Sequence, residues 1–180
     1  MFAKTACVLI SGRMGAGKST LANYMNSYIQ SLLDYTSFIG SFSAVLKQAA
    51  TIVFGWNGIK DAKGRKLLQG IGSVGREYNK DVWANYLYKN IPIGTDFIII
   101  DDWRYDNERK VSEDKVSMKV YKIRITSPNE IINDHESENN LPIENLDYYD
   151  FVVNNDSDLE SLRKLAKEIV NIIIDNHPIF

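Results

Sequence analysis

The stretch that decides the fold is Cys7–Thr20, "CVLISGRMGAGKST". An apolar run breaks into a loop with three glycines and closes on Lys18, Ser19 and Thr20. Gly12, Gly17, Lys18 and Ser19 satisfy the pattern G-x-x-x-x-G-K-[ST]. In that pattern glycine lets the backbone turn tightly and point successive N–H groups inward, at the positive end of the following helix, where they bind phosphate oxygens. Lys18 adds a full charge at the β- and γ-phosphates, and the Ser19 hydroxyl can ligate Mg²⁺. A dinucleotide loop is the nearest competitor, but after Gly15 and Gly17 its third glycine position holds Thr20.

Outward from the loop, five apolar runs read as strands: 6–10, 35–39, 96–100, 118–125 and 150–154. The first, third and fifth are nearly continuous, as strands covered on both faces are. Leu21, Met25, Tyr28 and Leu32 share one face of a first helix, and 43–54 is a second candidate. Residues 65–89 read as two or three short helices interrupted by Gly70, Gly72 and Gly75, which leaves Arg76 between helices. An amphipathic stripe from Leu159 to Ile173 forms the last helix. Strands alternating with helices imply a parallel sheet with helices on both faces. The expected fold is therefore α/β, three layers with a five-stranded parallel sheet flanked by helices, in one domain covering residues 1–180.

Composition narrows the classes. The 180 residues are 44% hydrophobic and 24% charged, with net charge −2, which speaks against a broad nucleic-acid-binding face. One cysteine, Cys7, excludes an internal disulfide and suits a reducing compartment. No run reaches the ~18 apolar residues of a membrane span, and no signal peptide is legible, so a cytoplasmic protein without membrane or nucleic-acid partners is expected. No Lys or Arg lies between Arg124 and Arg163. Positive charge for phosphates must come from the middle of the chain.

The third strand ends in "IIIDDWRYDNE" (98–108). An acid there, beside the glycine loop, is placed to hold Mg²⁺. Asp101 and Asp102 point to opposite sides, so one of the two faces the metal, and alternation alone does not choose between them. Arg104 either contacts a transferring phosphoryl group or pairs with Glu108 at the start of a helix. Near-matches to GTPase signatures, "NKDV" (79–82) and "DAKG" (61–64), read as chance because spacing or a preceding strand is wrong. Arg65, Lys66 and Arg76 beside Gln69, Tyr78 and Trp83 offer guanidinium groups for phosphate, an amide for base edges and rings for stacking. Trp83 reads first as core and only second as a stacking face. Asn154 and Asn155 follow the last strand, where a loop often lies against an adenine, and Asp156 or Ser157 can cap the last helix.

Several segments in order, "LISGRMGAGKSTLANYM", "SFSAVLK", "RKLLQGIGSVGREYNKDVWANYL", "FIIIDDWRYDNE", "HESE" and "DYYDFVVNNDSDLESL", resemble the bacteriophage deoxynucleoside monophosphate kinases, a branch of the nucleoside monophosphate kinase-like P-loop proteins. The most specific are D-x-R-[FY]-x-N-E (Asp102, Arg104, Tyr105, Asn107, Glu108) and "LLQ…GR…W" (Leu67 to Trp83). The resemblance implies a three-layer P-loop kinase fold and transfer of the γ-phosphoryl of ATP to a deoxynucleoside 5′-monophosphate, with ATP and Mg²⁺ as cofactors. It implies that Gly12, Arg13, Met14, Gly15, Ala16, Gly17, Lys18, Ser19 and Thr20 hold ATP, with Asn155 at the base. It places Lys47, Arg65, Gln69, Arg76 and Trp83 near the monophosphate, on a helical segment at about 41–92. Lys18, Asp102, Arg104 and Arg76 would be catalytic, with Ser19 and Asp102 at the metal. Segment 126–149 would contain a lid, and His135 of "HESE" would reach the substrate; a solvated helix start or hydrogen bonds within the flap suit His135 equally. A viral chain would work in its host's cytoplasm. Two departures stand out: Ser19 occupies a position where the family often has Asp, and 126–149 contains no arginine. Competing readings are a P-loop kinase of another acceptor, of the dephospho-coenzyme A kinase type, and a non-catalytic nucleotide-binding module. Trp56, Tyr86 and Tyr88 suit core or a homodimer interface.

Overall fold

The computed structural model describes residues 5–117, 119–131, 140–142 and 145–176. Its elements run β1 (Ala6–Ser11), α1 (Lys18–Ser31), β2 (Ser37–Gly40), α2 (Ala44–Phe54), α3 (Ala62–Tyr78), α4 (Val82–Lys89), β3 (Phe97–Ile100), α5 (Asp106–Lys115), β4 (Val120–Thr126), a 3₁₀ turn (Leu146–Tyr148), β5 (Phe151–Asn154) and α6 (Leu159–Asn176). The five strands form one parallel sheet in the order β2-β3-β1-β4-β5. Every strand read from the sequence is present, with ends shifted by two residues or fewer.

The layers follow from side-chain alternation. Ala6, Val8 and Ile10 of β1, with Phe97 and Ile99 of β3, pack on one face against Leu21 and Met25 of α1 and Ala166 and Ile169 of α6. Cys7 and Leu9, with Ile98 and Ile100, pack on the other against Leu87 and Tyr88 of α4 and Trp103. Central β1 is buried along its whole length, which is why it reads as an unbroken apolar run; edge strand β5 is buried only at Val153. The Cys7 thiol lies 3.3 Å from the Tyr88 hydroxyl, and burial pushes its pKa up to about 12. It is a core thiol, not a nucleophile. Tyr88 is core as well, whereas Tyr86 is exposed.

One expectation fails. Gly70, Gly72 and Gly75 do not interrupt the middle of the chain: α3 runs unbroken over 17 residues, and Arg76 sits in its last turn. Gly72 and Gly75 answer to packing instead, whereas Gly70 is exposed. A Cβ on Gly75 would lie 2.2 Å from the Trp83 ring, and a Cβ on Gly72 3.2 Å from Leu46. The Trp83 indole N–H donates to the Gly72 carbonyl at 3.1 Å. Glycine costs a helix about 1 kcal/mol per residue, and close approach of the α4 indole offsets that cost. The α6 cap also differs: Asp158, rather than Asp156 or Ser157, accepts from the Ser161 N–H at 2.8 Å.

Among the described residues no helix is long and apolar enough to cross a membrane.

Candidate active site

The carboxyl ends of β1 and β3 open on a cavity of about 580 Å³. Its first wall is the glycine loop. Gly17 takes a φ of 98°, a left-handed conformation, and hands the chain to α1. A Cβ there would also lie 2.6 Å from the Asn155 amide nitrogen. That amide donates to the Ala16 carbonyl at 3.1 Å, and the Asn155 N–H donates to Thr126 at 2.8 Å. Asn155, expected at the base of the nucleotide, thus braces the loop from behind. Helix α1 starts with no side-chain cap and no acid in its first turn. Its leading N–H groups and dipole are therefore available to an anion. The Lys18 ammonium donates to the Gly12 and Arg13 carbonyls at 2.7 and 2.8 Å, so its stem lies along the loop.

Residues 127–131 fasten onto the outer flank of the loop. The Ile131 N–H donates to Met14 at 2.7 Å, and Arg13 lies 3.7 Å from Glu130. Of the expected lid, 132–139, which includes His135, and 143–144 fall outside the described residues.

The Ser19 hydroxyl donates to the Asp101 carboxylate at 2.5 Å. Asp102 faces elsewhere. Its carboxylate accepts from the Phe42 and Ser43 N–H groups at 2.8 and 3.0 Å and from the Ser41 and Ser43 hydroxyls at 2.6 and 2.7 Å. Three of these donors meet Oδ2 and one Oδ1, so Asp102 is tied to Ser41–Ser43, and it is Asp101, not the expected Asp102, that stands beside Ser19. Strand parity is the signal that could have found this. Phe97 and Ile99 pack on α1's side of the sheet, and Asp101 shares their parity with Ser19 on α1 itself. A serine hydroxyl beside a carboxylate, both oxygen ligands, fits Mg²⁺.

The opposite wall comes from α2, the loop after it, α3 and α4: Lys47, Lys60, Arg65, Gln69, Arg76 and the half-buried Trp83. Of the residues named from the sequence, Lys47, Arg65, Gln69, Arg76, Trp83 and Arg104 line one cavity together with Met14, Gly15, Gly17, Lys18, Ser19, Thr20 and Asp102; Lys60 lines it too and is not among those named. The Arg76 guanidinium lies over the Tyr105 ring, 4.3 Å from its centroid, which fixes its plane.

Between the walls runs 101–105. Glu108, 6% exposed, turns its carboxyl back to accept from the Arg104 and Tyr105 N–H groups at 2.9 and 3.0 Å. The pairing considered for Arg104 and Glu108 is thus made by the backbone of Arg104. Burial pushes the Glu108 pKa up to about 8; the two N–H donors pull against that rise and the neighbouring Asp102 adds to it. Six basic side chains, Lys18, Lys47, Lys60, Arg65, Arg76 and Arg104, line the cavity beside the three acids Asp101, Asp102 and Glu108. Such a field favours polyanions.

No protein-family model and no curated protein matches the sequence. Solved structures do. APE1195 superposes with a TM-score of 0.53 at 15% identity, covering 94% of this chain and 96% of its own. Kti12 of Chaetomium thermophilum, in complex with ADP-AlF3, gives 0.52 at 13%, covering 92% and 97%. A gluconokinase of Sinorhizobium meliloti 1021 gives 0.51 at 8%, covering 97% and 96%. The fold is that of the P-loop kinases. In this kinase fold the glycine loop and the wall of α2, α3 and α4 meet across the carboxyl ends of the sheet, where open α/β sheets bind their ligands.

Proposed function

We propose that the chain transfers the terminal phosphoryl group of ATP to a deoxynucleoside 5′-monophosphate, giving the diphosphate and ADP. One observation carries this reading: a single cavity joins the glycine loop and the Ser19–Asp101 pair to a wall bearing Lys47, Arg65, Gln69, Arg76 and Trp83. A phosphate donor and a phosphorylated, base-bearing acceptor need those two walls facing each other. The choice of deoxynucleotide rests on the D-x-R-[FY]-x-N-E and "LLQ…GR…W" resemblance.

The loop amides and Lys18 would grip the donor phosphates, with Ser19 and Asp101 holding Mg²⁺. The metal supplies charge neutralisation at the β- and γ-phosphate oxygens. Lys47, Arg76 and Arg104 would bind the acceptor phosphate, Gln69 would meet the base edge, and Trp83 would close one side of the acceptor pocket. No general base is needed, because the acceptor phosphate is already ionised. The work left to the protein is positioning and charge stabilisation.

The test is ADP formation by pure protein with MgATP and each deoxynucleoside monophosphate in turn. Acceptor-dependent ADP with at least one of them is expected. ATP binding without turnover on any monophosphate would leave a binding module, and turnover only on another phosphorylatable acceptor would move the chain to a different kinase class.

A further inference from the structure

Lys60 lines the cavity from the surface loop between α2 and α3. Its charged surroundings come from four elements. Lys47 of α2, Arg65 of α3 and Arg104 after β3 repel it, while Asp101 at the end of β3 attracts it; partial burial and that repulsion together lower its pKa. One ammonium therefore stands within electrostatic reach of both the acid that meets Ser19 and the cations of the opposite wall. Among the described residues it has no hydrogen bond or ion pair.

Its backbone is held on both sides. The Trp56 indole N–H donates to the Ile59 carbonyl at 2.9 Å, and Asn57 accepts from the Ile59 N–H at 3.0 Å. Asp61 caps α3 by accepting from the Gly64 N–H at 2.7 Å. Gly64 permits this packing, since a Cβ there would lie 2.7 Å from the Trp56 indole nitrogen. A surface lysine with no task does not need its two chain neighbours fixed, nor a place among three like charges. A cation held at the cavity beside Lys47, Arg65 and Arg104, with Asp101 as the one attracting acid, suits an anion that arrives with the substrates.

We propose that Lys60 is a further catalytic residue, donating its ammonium to the transferring phosphoryl group from the α2–α3 side while Lys18 approaches from the glycine loop. The inference rests on phosphoryl transfer in this cavity but not on the identity of the acceptor. In that step the bond from the terminal phosphorus to the β–γ bridging oxygen breaks, and its electron pair stays on the ADP oxygen. An oxygen of the acceptor phosphate forms the new bond to phosphorus. No proton or redox partner is required. Charge on the transferring oxygens needs cations on more than one side. Arg13 is engaged by Glu130, and 126–149 has no arginine to offer. Lys60 fills that role.

The test compares wild type, Lys60→Gln and Lys60→Arg for binding of MgADP with and without aluminium fluoride, a mimic of the transferring group, in the presence and absence of deoxynucleoside monophosphates. Lys60→Gln should bind MgADP within about twofold of wild type yet lose about 100-fold of the fluoride-dependent gain, with Lys60→Arg restoring most of it. The thermal midpoint should be unchanged. The assignment is overturned if Lys60→Gln keeps the full gain, if it loses MgADP affinity equally, or if wild type gains nothing from aluminium fluoride. Absence of wild-type turnover on every deoxynucleotide, with the fluoride effect intact, would sink the acceptor assignment and leave Lys60 standing.

Discussion

Ser19 and Asp101 stand 82 residues apart in the chain and 2.5 Å apart in space, hydroxyl to carboxylate, across the ends of α1 and β3. Asp102, the very next residue, makes four hydrogen bonds to Ser41–Ser43 and none to α1. Adjacent acids therefore have separable consequences. Asp101→Asn should lower turnover by about 100-fold, raise the Mg²⁺ concentration needed for half-maximal rate and leave the fold intact. Asp102→Ala orphans buried donors and should cost about 3 kcal/mol of stability. Magnesium titrations and urea unfolding of both variants decide it; a stability loss confined to Asp101→Asn would reverse the roles.

The Lys18 ammonium donates to the Gly12 and Arg13 carbonyls, and Lys18 belongs to neither hydrophobic cluster, so its removal leaves the core untouched. Lys18→Ala should lower kcat by about 100-fold or more, the usual loss of one electrostatic stabiliser, with little change in thermal midpoint. Near-normal turnover by a folded variant would refute the donor site.

The Arg76 guanidinium, in the last turn of α3, lies over the Tyr105 ring on the wall opposite the glycine loop. Arg76→Ala should raise KM for the monophosphate by about tenfold or more, in line with the loss of a charge-assisted contact. KM for ATP should stay within about twofold. Steady-state kinetics with each substrate varied separately give the answer; equal losses for both would place Arg76 outside the acceptor site.

How much of this was legible without coordinates depends on the range of the forces involved. The sheet, its layers and the phosphate loop follow from local periodicity and from glycine chemistry, which short windows carry, as in Ala6–Ser11 and Gly12–Thr20. The choice of Asp101 over Asp102 was latent in strand parity, but it needed to be known which face of β3 carries α1. The continuity of α3 was not legible, because the reason for Gly75 is the Trp83 ring eight residues away on another helix. Lys60 carried no signal beyond its charge: what marks it is the cluster of Lys47, Arg65, Arg104 and Asp101 assembled from four elements. Glu108 matched a motif, yet its burial and its grip on the Arg104 backbone are tertiary facts.

Glu108 makes stability depend on pH in a definite direction. Its folded pKa of about 8 stands above the ordinary 4.5 of a glutamate. The native state therefore holds a proton that the unfolded chain has released throughout that window, so stability falls as pH rises from about 4.5 to about 8. Glu108→Gln cannot ionise, and its amide oxygen can still accept from the Arg104 and Tyr105 N–H groups. The thermal midpoint of the variant relative to wild type should rise from pH 5 to pH 8, and a constant difference would refute the assignment.

The glycines of α3 divide by what surrounds them, and the division can be measured at two positions on one helix. Gly70 is exposed, with nothing within 4 Å of an added Cβ, so Gly70→Ala should stabilise by about 0.5–1 kcal/mol through helix propensity alone. Gly75→Ala gains the same propensity but drives a methyl into the Trp83 ring, 2.2 Å away, and overpacking of that kind costs about 1–3 kcal/mol. The net effect at Gly75 should be destabilising, with a changed indole fluorescence as Trp83 leaves the Gly72 carbonyl. Because Trp83 also lines the cavity, the same variant should raise KM for the monophosphate, while Gly70→Ala should not. Denaturation of both variants beside wild type reads the first effect and acceptor kinetics the second. Equal stabilisation by the two substitutions would mean that the indole does not pack on α3, and the wall that it forms would have to be redrawn.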